Sequence, residues 1–416
     1  MNATLEVADV FCDGEDRFRA RYGKTLSPAQ HQVLRAVLRC RTAALGGHVQ
    51  RCDDCGHQQV QYNSCRNRHC PKCQAMARAA WLEKRENELL PVPYFHVVFT
   101  LPHELAPLAL QNQRVIYGIL FQAAAGTLLE IAADRKHLGA RIGCLMVLHT
   151  WGQNLMHHPH THAIVTGGGL SADGSRWIHG RCSKRGKSFF APVKVLSRVF
   201  RGKFIALLKQ AFAAGKLGFY GQLKPLGNPV AFEQLLNRAV RHDWVVYAKR
   251  PFSSPLCVLK YLARYTHRVA ISNQRLVGLN DGRVSFRYKD YAGGQHDKVM
   301  TLETPEFMRR FLMHTLPKGF VRIRYYGFLA NRQRNRRLDQ CRELLGVQPR
   351  PNESAAQDAA EPEEDAQPRQ SCPTCPACQR GKLVIIQHVS PSPPLRLRRP
   401  HMLAPRAAFA KWFDTS

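Results

Sequence analysis

Apolar and basic positions sort this chain into segments of distinct texture. Residues 24–45 have helical periodicity, with Thr25 or Ser27 near the start, Pro28 in the first turn and Gly46 and Gly47 breaking it. A cysteine-rich knot occupies 52–73, and "QAMARAAWLEKREN" behind it reads as a helix that "LPVP" ends at 90–93. The texture then changes. "YFHVVFTLP" (94–102) is aromatic and β-branched and predicts a strand, 111–130 predicts a helix, and "IGCLMVLHTWG" (142–152) and "HTHAIVTGG" (160–168) predict two more strands. Only a short segment beginning at Gln153 connects these last two, which allows them to be antiparallel neighbours.

Residues 194–217 form a basic amphipathic pattern. Ser254 suits an N-cap and Pro255 the first position of a helix that runs through Tyr265. "RVAIS", "RLVGL" and "RVSFRY" follow as strands, the last two joined by an Asp281–Gly282 turn. Basic residues continue to 340, and 352–371 is an acidic, proline-bearing linker with the composition of a disordered segment. These shifts divide the chain into a helical and zinc-binding region (1–90), an α/β domain (91–297), a basic region (298–350), the linker (351–371) and a cysteine-containing basic tail (372–416). There is no internal repeat.

Charge narrows the partners. Lys and Arg number 61 against 30 Asp and Glu, a net charge of +31 that opposes compaction and calls for a polyanion. Nucleic acid is that partner in preference to an anionic membrane, because no apolar run approaches the ~20 residues of a spanning helix. The N-terminal residues have no basic-then-apolar export segment, so a cytoplasmic, nucleoid-associated location is expected. Fourteen cysteines in so long a chain, seven of them in Cys-x-x-Cys groups, fit metal ligation better than a secreted disulfide scaffold.

The first group is "CDDC" with "CPKC". Cys52, Cys55, Cys70 and Cys73 have the spacing of a zinc ribbon, in which each pair pinches one side of a tetrahedral Zn²⁺. Cys40, His48, Cys65 and His69 offer a second set. Arg66, Arg68 and Lys72 interleave the knot and can face phosphates. Cys372, Cys375 and Cys378 are one ligand short of a site of their own.

The second group is "HHPHTH". On a strand, His158, His160 and His162 point one way and His157 and Thr161 the other. Pro159 disfavours ladder pairing, so the strand is expected to begin at His160. His160 and His162 are the expected metal pair. Gln153 is the nearest third ligand, with His149, His157 and His96 behind it. An imidazole–amide set suits Mg²⁺ or Mn²⁺ and Lewis-acid chemistry at a phosphoryl oxygen.

The third group is "KYLARYTHR". Tyr261 and Tyr265 stand i,i+4 on one helix face amid Lys260, Arg264 and Arg268. Most such pairs are packing residues, but a phenolate beside a metal-bound phosphodiester can attack phosphorus. A basic stretch with interleaved aromatics follows. Arg309, Arg310, Lys318, Arg322 and Arg324 alternate with Phe311, Phe320 and Tyr325, a mixture suited to phosphate contact and base stacking.

Together, "CRNRHCPKCQ", "YFHVVFTLP", "HTWGQNLMHHPHTHAIVTGGGL", "YLARYTHRVAISNQRL" and "LPKGFVRIRYYGFLANR" resemble the transposases of IS91-like insertion elements, the two-tyrosine branch of the HUH single-strand endonucleases. The resemblance spans residues 35–340 discontinuously, and Thr161 is smaller than the usual bulky residue between the histidines. It implies an α/β (α+β) fold: a zinc-ribbon-like N-terminal domain, then a replication-initiator- or relaxase-like domain with a central antiparallel sheet and flanking helices. By position it assigns the metal to His160, His162 and Gln153 and the nucleophiles to Tyr261 and Tyr265. It implies a DNA transposase that nicks and joins single strands through 5′-phosphotyrosine, by rolling-circle transposition. Its substrates would be single-stranded or hairpin transposon ends and a short target site, with host replication proteins extending the free 3′-OH.

Three other readings stand beside it. A plasmid relaxase or replication initiator shares the chemistry. A zinc-dependent DNA-binding regulator leaves the histidines and tyrosines without a task, and a metal-dependent hydrolase forms no protein–DNA adduct.

Overall fold

The alternating apolar strands predicted in the middle of the chain assemble into one antiparallel sheet. In the computed structural model, which describes residues 5–74, 88–180, 191–249, 257, 270–290, 296–347 and 373–392, that sheet has five strands in the order β12-β4-β5-β3-β8. They are β3 (Tyr94–Thr100), β4 (Gly143–Trp151), β5 (His157–Thr166), β8 (Val246–Lys249) and β12 (Ile323–Gly327). The chain divides into two units, Met1–Leu38 with Arg66–Ala366, and Arg39–Cys65 with Gln367–Ser416. The central sheet belongs to the first.

Period-two alternation sorts the sheet's residues between two faces. Phe95, Val97 and Phe99 of β3, Cys144, Met146 and Leu148 of β4, and Ala163 and Val165 of β5 join one large core. Helices Gln113–Ala133 and Val193–Ala213 close that core with Tyr117, Leu120, Phe121, Leu128, Phe200 and Phe204. Each fully buried side chain of this size contributes about 1.5–3 kcal/mol. The opposite face carries Tyr94, Leu145 and Ile164, which join a smaller cluster with Leu338 and Cys341.

Helix Gln113–Ala133 corrects one expectation. It is 21 residues long and apolar enough to cross a membrane by length and composition. Its apolar residues are spent on the core of the first unit, where Tyr117, Leu120, Phe121 and Leu128 are fully buried.

The strand holding the histidines also starts earlier than Pro159 suggested. β5 begins at His157, because β3 reaches only to His160 on one side and the ladder to β4 is irregular between His149 and Trp151 on the other. A proline is tolerated at such a strand end, where its carbonyl still accepts the Leu101 N–H at 3.1 Å, no ladder N–H is needed from it, and the other edge is bulged. Residues 298–350, read from composition as a separate basic region, supply β12, which pairs with β4.

The helix expected at 24–45 is Pro28–Arg39, its start fixed by a reciprocal cap in which Ser27 N–H donates to Gln30 Oε1 (2.9 Å) and Gln30 N–H donates to Ser27 Oγ (3.3 Å). Ahead of it, Val7–Tyr22 forms a helix that buries Val7, Val10, Phe11 and Phe18, with the Phe11 ring edge-on to Phe311 at 5.3 Å. The predicted hairpin is present as β9 (Leu276–Asn280) and β10 (Arg283–Asp290), joined through Asp281 and Gly282 with φ of 48° and 70°, and extended by β11 (His296–Glu303). "RVAIS" contributes no strand among the described residues; a 3₁₀ turn at Asn273–Arg275 leads into β9.

The second unit is a three-stranded antiparallel sheet, β13-β1-β2, made of Leu383–Val389, Gly47–Cys52 and Gln58–Tyr62. The segment after the acidic linker therefore pairs with the segment that opens the cysteine knot, from Gly47 opposite Val389 to Cys52 opposite Leu383.

Candidate metal centre and cysteine cluster

Because His96, His149, His160 and His162 all fall on even β3 and β5 positions or odd β4 positions, they share the sheet face turned away from the two long helices. The register puts His149 directly opposite His160. The ligand nitrogens of His149, His160 and His162 lie within 4.8 Å of one another. Their rings fan around one point, with centroids 4.5 Å apart for His149–His162 and 4.9 Å for His160–His162.

Hydrogen bonds aim these rings. His160 Nδ1 lies 2.7 Å from the His158 carbonyl and can only donate to it, which leaves Nε2 as the lone-pair nitrogen of the neutral ring. His162 Nδ1 lies 2.9 Å from His96 Nε2, and the two rings stack within 8°. Burial pushes His160 down to about 4 and His162 well below the ordinary imidazole range, with the neighbouring histidines adding to the second shift. Neutral imidazoles are the form that binds a metal, so the donor set fits a divalent cation.

Gln153, expected as third ligand, lies beyond the end of β4, in the turn between the strands. Its backbone carbonyl accepts from Arg275 Nη2 at 2.6 Å. The residue that the ladder sets across from the pair is His149. His157 faces the helix side, where its Nε2 is 2.8 Å from Tyr117 Oη. His314, which the sequence gave no reason to single out, braces the turn: its Nε2 donates to the Leu155 carbonyl at 3.0 Å and its Nδ1 accepts from Thr150 Oγ1 at 3.1 Å. Tyr261, Tyr265, Lys260, Arg264 and Arg268 lie outside the described residues.

The cysteine pairs are partnered differently from the expected ribbon. Cys52 and Cys55 are grouped with Cys375 and Cys378, all four Sγ atoms within 4.8 Å of one another. Cys70 and Cys73 belong to the other unit. Sequence spacing favoured the nearer pair, whereas the β1–β13 ladder delivers the pair 320 residues further on. In the second expected set, Cys40, His48, Cys65 and His69, both histidines are engaged elsewhere. His48 Nε2 is 3.3 Å from Gln61 Oε1, and His69 Nε2 accepts the Leu316 N–H at 3.1 Å. Burial, with the Arg68 charge beside it, pushes His69 down to about 3. Cys372 lies outside the described residues.

Several of the basic residues expected at DNA make contacts within the fold. Arg68 donates through Nη1 to the Phe320 carbonyl (2.7 Å) and through Nη2 to that of Pro317 (2.8 Å). Arg322 turns inward to Gln74 Oε1 at 2.7 Å, and burial beside Arg68 pushes its guanidinium down to about 10. Arg309 forms a two-pronged bond to Glu306, Arg310 bonds Glu306 and the Asn154 carbonyl, and Lys72 pairs with Glu6 at 2.6 Å. Arg324 lies over Phe121 at 4.4 Å and Phe320 at 5.1 Å. Arg66 and Lys318 are exposed.

Comparison with known proteins gives this geometry a context. Residues 143–337 match a family described as a putative transposase, and residues 10–101 match a transposase zinc-binding domain. A putative transposase, y4qJ, of Sinorhizobium fredii (strain NBRC 101917 / NGR234) is 54% identical over 383 residues, 92% of this chain and 95% of that protein. The transposase for insertion sequence element IS801 of Pseudomonas savastanoi pv. phaseolicola is 30% identical over 320 residues, 76% of this chain and 73% of that protein. Among solved structures, a metal-bound conjugative relaxase TrwC in complex with oriT DNA matches 42% of this chain and 71% of that chain at 14% identity, with a TM-score of 0.22, too low to argue a shared fold.

Proposed function

This chain belongs to the IS91-like insertion-element transposases, and on that footing we propose that it cuts and rejoins single DNA strands through a covalent 5′-phosphotyrosine. The observation that carries the reading is the convergence of His149, His160 and His162 on one face of the central sheet. His149 and His162 are buried and His160 is half-buried, and three imidazole nitrogens brought within 4.8 Å of one another form a divalent-metal site.

In this reading the phenolate oxygen of Tyr261 or Tyr265 attacks the scissile phosphorus. The P–O3′ bond breaks, the 3′ oxygen takes up a proton, and the 5′ phosphate remains on tyrosine. A 3′-OH attacking the phosphotyrosine reverses the step, restoring a phosphodiester and a free phenol without a nucleotide cofactor. Two tyrosines allow a second strand to be cut while the first is still held. A bound divalent ion supplies Lewis-acid polarisation of a phosphoryl oxygen. Three imidazoles rather than two and an amide shift the preference from Mg²⁺ towards Mn²⁺.

The chain's own residues do the orienting. The His158 carbonyl fixes which nitrogen His160 presents, and His96 fixes His162. The net charge of +31, with Lys318 and Arg66 exposed, supplies attraction for the phosphate backbone. The substrates are single-stranded or hairpin element ends and a short target site, and host replication enzymes extend the released 3′-OH.

The test is incubation of the full chain with labelled single-stranded DNA carrying an element end, plus Mn²⁺. A denaturant-stable protein–DNA adduct is expected, and its loss in the Y261F/Y265F double variant. An adduct that persists in that variant overturns the tyrosine assignment. Cleavage with no adduct at all replaces this mechanism with hydrolysis by water.

A further inference from the structure

Within the second unit, two short turns of the same design face each other. Cys52–Gly56 and Cys375–Gln379 each read Cys-x-x-Cys-x, and in both the residue after the second cysteine is left-handed, Gly56 at φ 71° and Gln379 at φ 58°. Backbone N–H groups point at the sulfurs: Asp54 and Cys55 donate to Cys52 Sγ at 3.4 and 3.5 Å, and Gly381 donates to Cys378 Sγ at 3.4 Å. Such donors stabilise thiolates. The sulfurs of opposite turns approach to 3.7 Å in both pairs, Cys52–Cys378 and Cys55–Cys375. A disulfide requires about 2.05 Å. A tetrahedron of sulfurs around zinc, with Zn–S of about 2.3 Å, has edges of about 3.8 Å.

We propose that Cys52, Cys55, Cys375 and Cys378 bind one structural Zn²⁺, so that the zinc ribbon of this chain is closed by its C-terminal segment. The match to a zinc-binding domain ends at residue 101 and includes neither Cys375 nor Cys378. The backbone is built for the junction. Asp53 N–H donates to the Lys382 carbonyl at 3.0 Å, and Lys382 N–H returns a bond to Asp53 Oδ1 at 2.7 Å. β13 then runs along β1 from Leu383 to Val389. Apolar burial among the described residues is too small to hold this arrangement. Among the described residues its buried cluster is Cys52, Cys375 and Leu383, with Cys378 packed against them, and Val384, Ile385 and Ile386 are exposed. A unit with so small a core takes its folding energy from the metal. Zinc thereby pins the chain beyond the acidic linker to a strand more than 300 residues earlier. This inference stands apart from the tyrosine chemistry and needs none of it.

The test is metal content of the full chain purified under reducing conditions, measured by inductively coupled plasma mass spectrometry. C52S/C55S and C375S/C378S should each lose the same single equivalent of zinc, the quadruple variant no more, and C12S none. Wild-type zinc content in C375S/C378S overturns the proposal, as does iron in place of zinc. If the serine variants do not fold, C378H keeps a fourth ligand. After cobalt substitution its visible bands should shift to the blue as one thiolate is replaced by imidazole. Bands unchanged from wild type would also overturn the assignment.

Discussion

His149 stands directly across the β4–β5 ladder from His160, their rings edge to face with centroids 5.4 Å apart. Directly opposed side chains in an antiparallel pair have Cβ atoms about 4.5–5.5 Å apart, so the sheet itself sets the spacing of these imidazoles. The turn that carries Gln153 has no such constraint. His149→Ala should therefore weaken Mn²⁺ binding by more than ~100-fold, since even a group that only orients a ligand is worth about 10–100-fold. Gln153→Ala should change it by less than ~10-fold on the same scale. Calorimetric titration of both variants decides the matter, and equal losses would return Gln153 to the ligand set.

His96 is a positioning residue, acting through His162 rather than on the metal. Its Nε2 lies 2.9 Å from His162 Nδ1, on the strand next to β5. His96→Ala should lower metal affinity about 10–100-fold while leaving adduct formation recoverable at high Mn²⁺. His96→Gln, which keeps a side-chain carbonyl for the His162 N–H, should recover part of the loss. A purely structural role would lower the melting temperature and leave the metal titration unchanged.

The strands and the hairpin were legible because burial imposes period two on "YFHVVFT" and "CLMVLHTW", and Asp281–Gly282 announces its turn. The His160–His162 pair follows from the same periodicity. Its third partner does not, since the irregularity between His149 and Trp151 shifts the register by an amount that no local pattern encodes. The cysteines show the limit more sharply. Cys52 and Cys55 have an acceptable pair nearby in Cys70 and Cys73, and only the tertiary pairing of β1 with β13 selects Cys375 and Cys378 instead. Likewise, Arg68 and Arg322 read as phosphate-binding charge until the carbonyls of Pro317 and Phe320 and the amide of Gln74 claim them.

Glu306 is tied through Arg310 to the turn between β4 and β5. It holds Arg309 and Arg310, and Arg310 reaches the Asn154 carbonyl in the turn ahead of β5. The Arg309 hydrogen bond, followed by that of Arg310, lowers the Glu306 carboxyl to about 2 from an ordinary 4.5. A depressed carboxylate stabilises the folded state above its unfolded pKa, and that contribution disappears as pH falls through the folded value. The melting-temperature difference between wild type and Glu306→Gln should thus be largest near neutrality and shrink from about pH 5 to about pH 2. A difference independent of pH would mean that the lost packing, not the charge, matters.

Basic residues should separate into two classes. Arg68→Ala leaves the Pro317 and Phe320 carbonyls without their guanidinium and should cost about 2–4 kcal/mol of stability. Lys318 is exposed. Lys318→Ala should leave the melting temperature unchanged and reduce the salt dependence of single-strand binding by about 0.7 in log–log slope, the value for one phosphate contact. Thermal melts and fluorescence anisotropy over a salt series test both. An unchanged slope in Lys318→Ala removes that lysine from the DNA surface.

Gly381 offers the most selective probe of the cysteine cluster, because it touches the site without supplying a ligand. A Cβ at this position would collide with Cys52 Sγ and would lie 2.6 Å from Asp54 Cβ and 2.8 Å from Asp53 Oδ1. Neither the sulfur nor the turn can yield. Cys52 Sγ is fixed by two backbone N–H groups, and Asp53 by its exchange with Lys382. Gly381 N–H also donates to Cys378 Sγ, so displacing the glycine backbone disturbs both turns together. Gly381→Ala should therefore release zinc to a chromogenic chelator at least ~10-fold faster than wild type, on the scale of a group that orients a metal ligand. Mn²⁺ binding at His149, His160 and His162 should be untouched, since those residues lie in the other unit. Glycine 56 is the control: a Cβ there meets nothing within 4 Å, but its φ of 71° makes alanine strained, so Gly56→Asn, which tolerates that backbone, should keep zinc as tightly as wild type. Wild-type release kinetics in Gly381→Ala would show that the two turns do not share one metal.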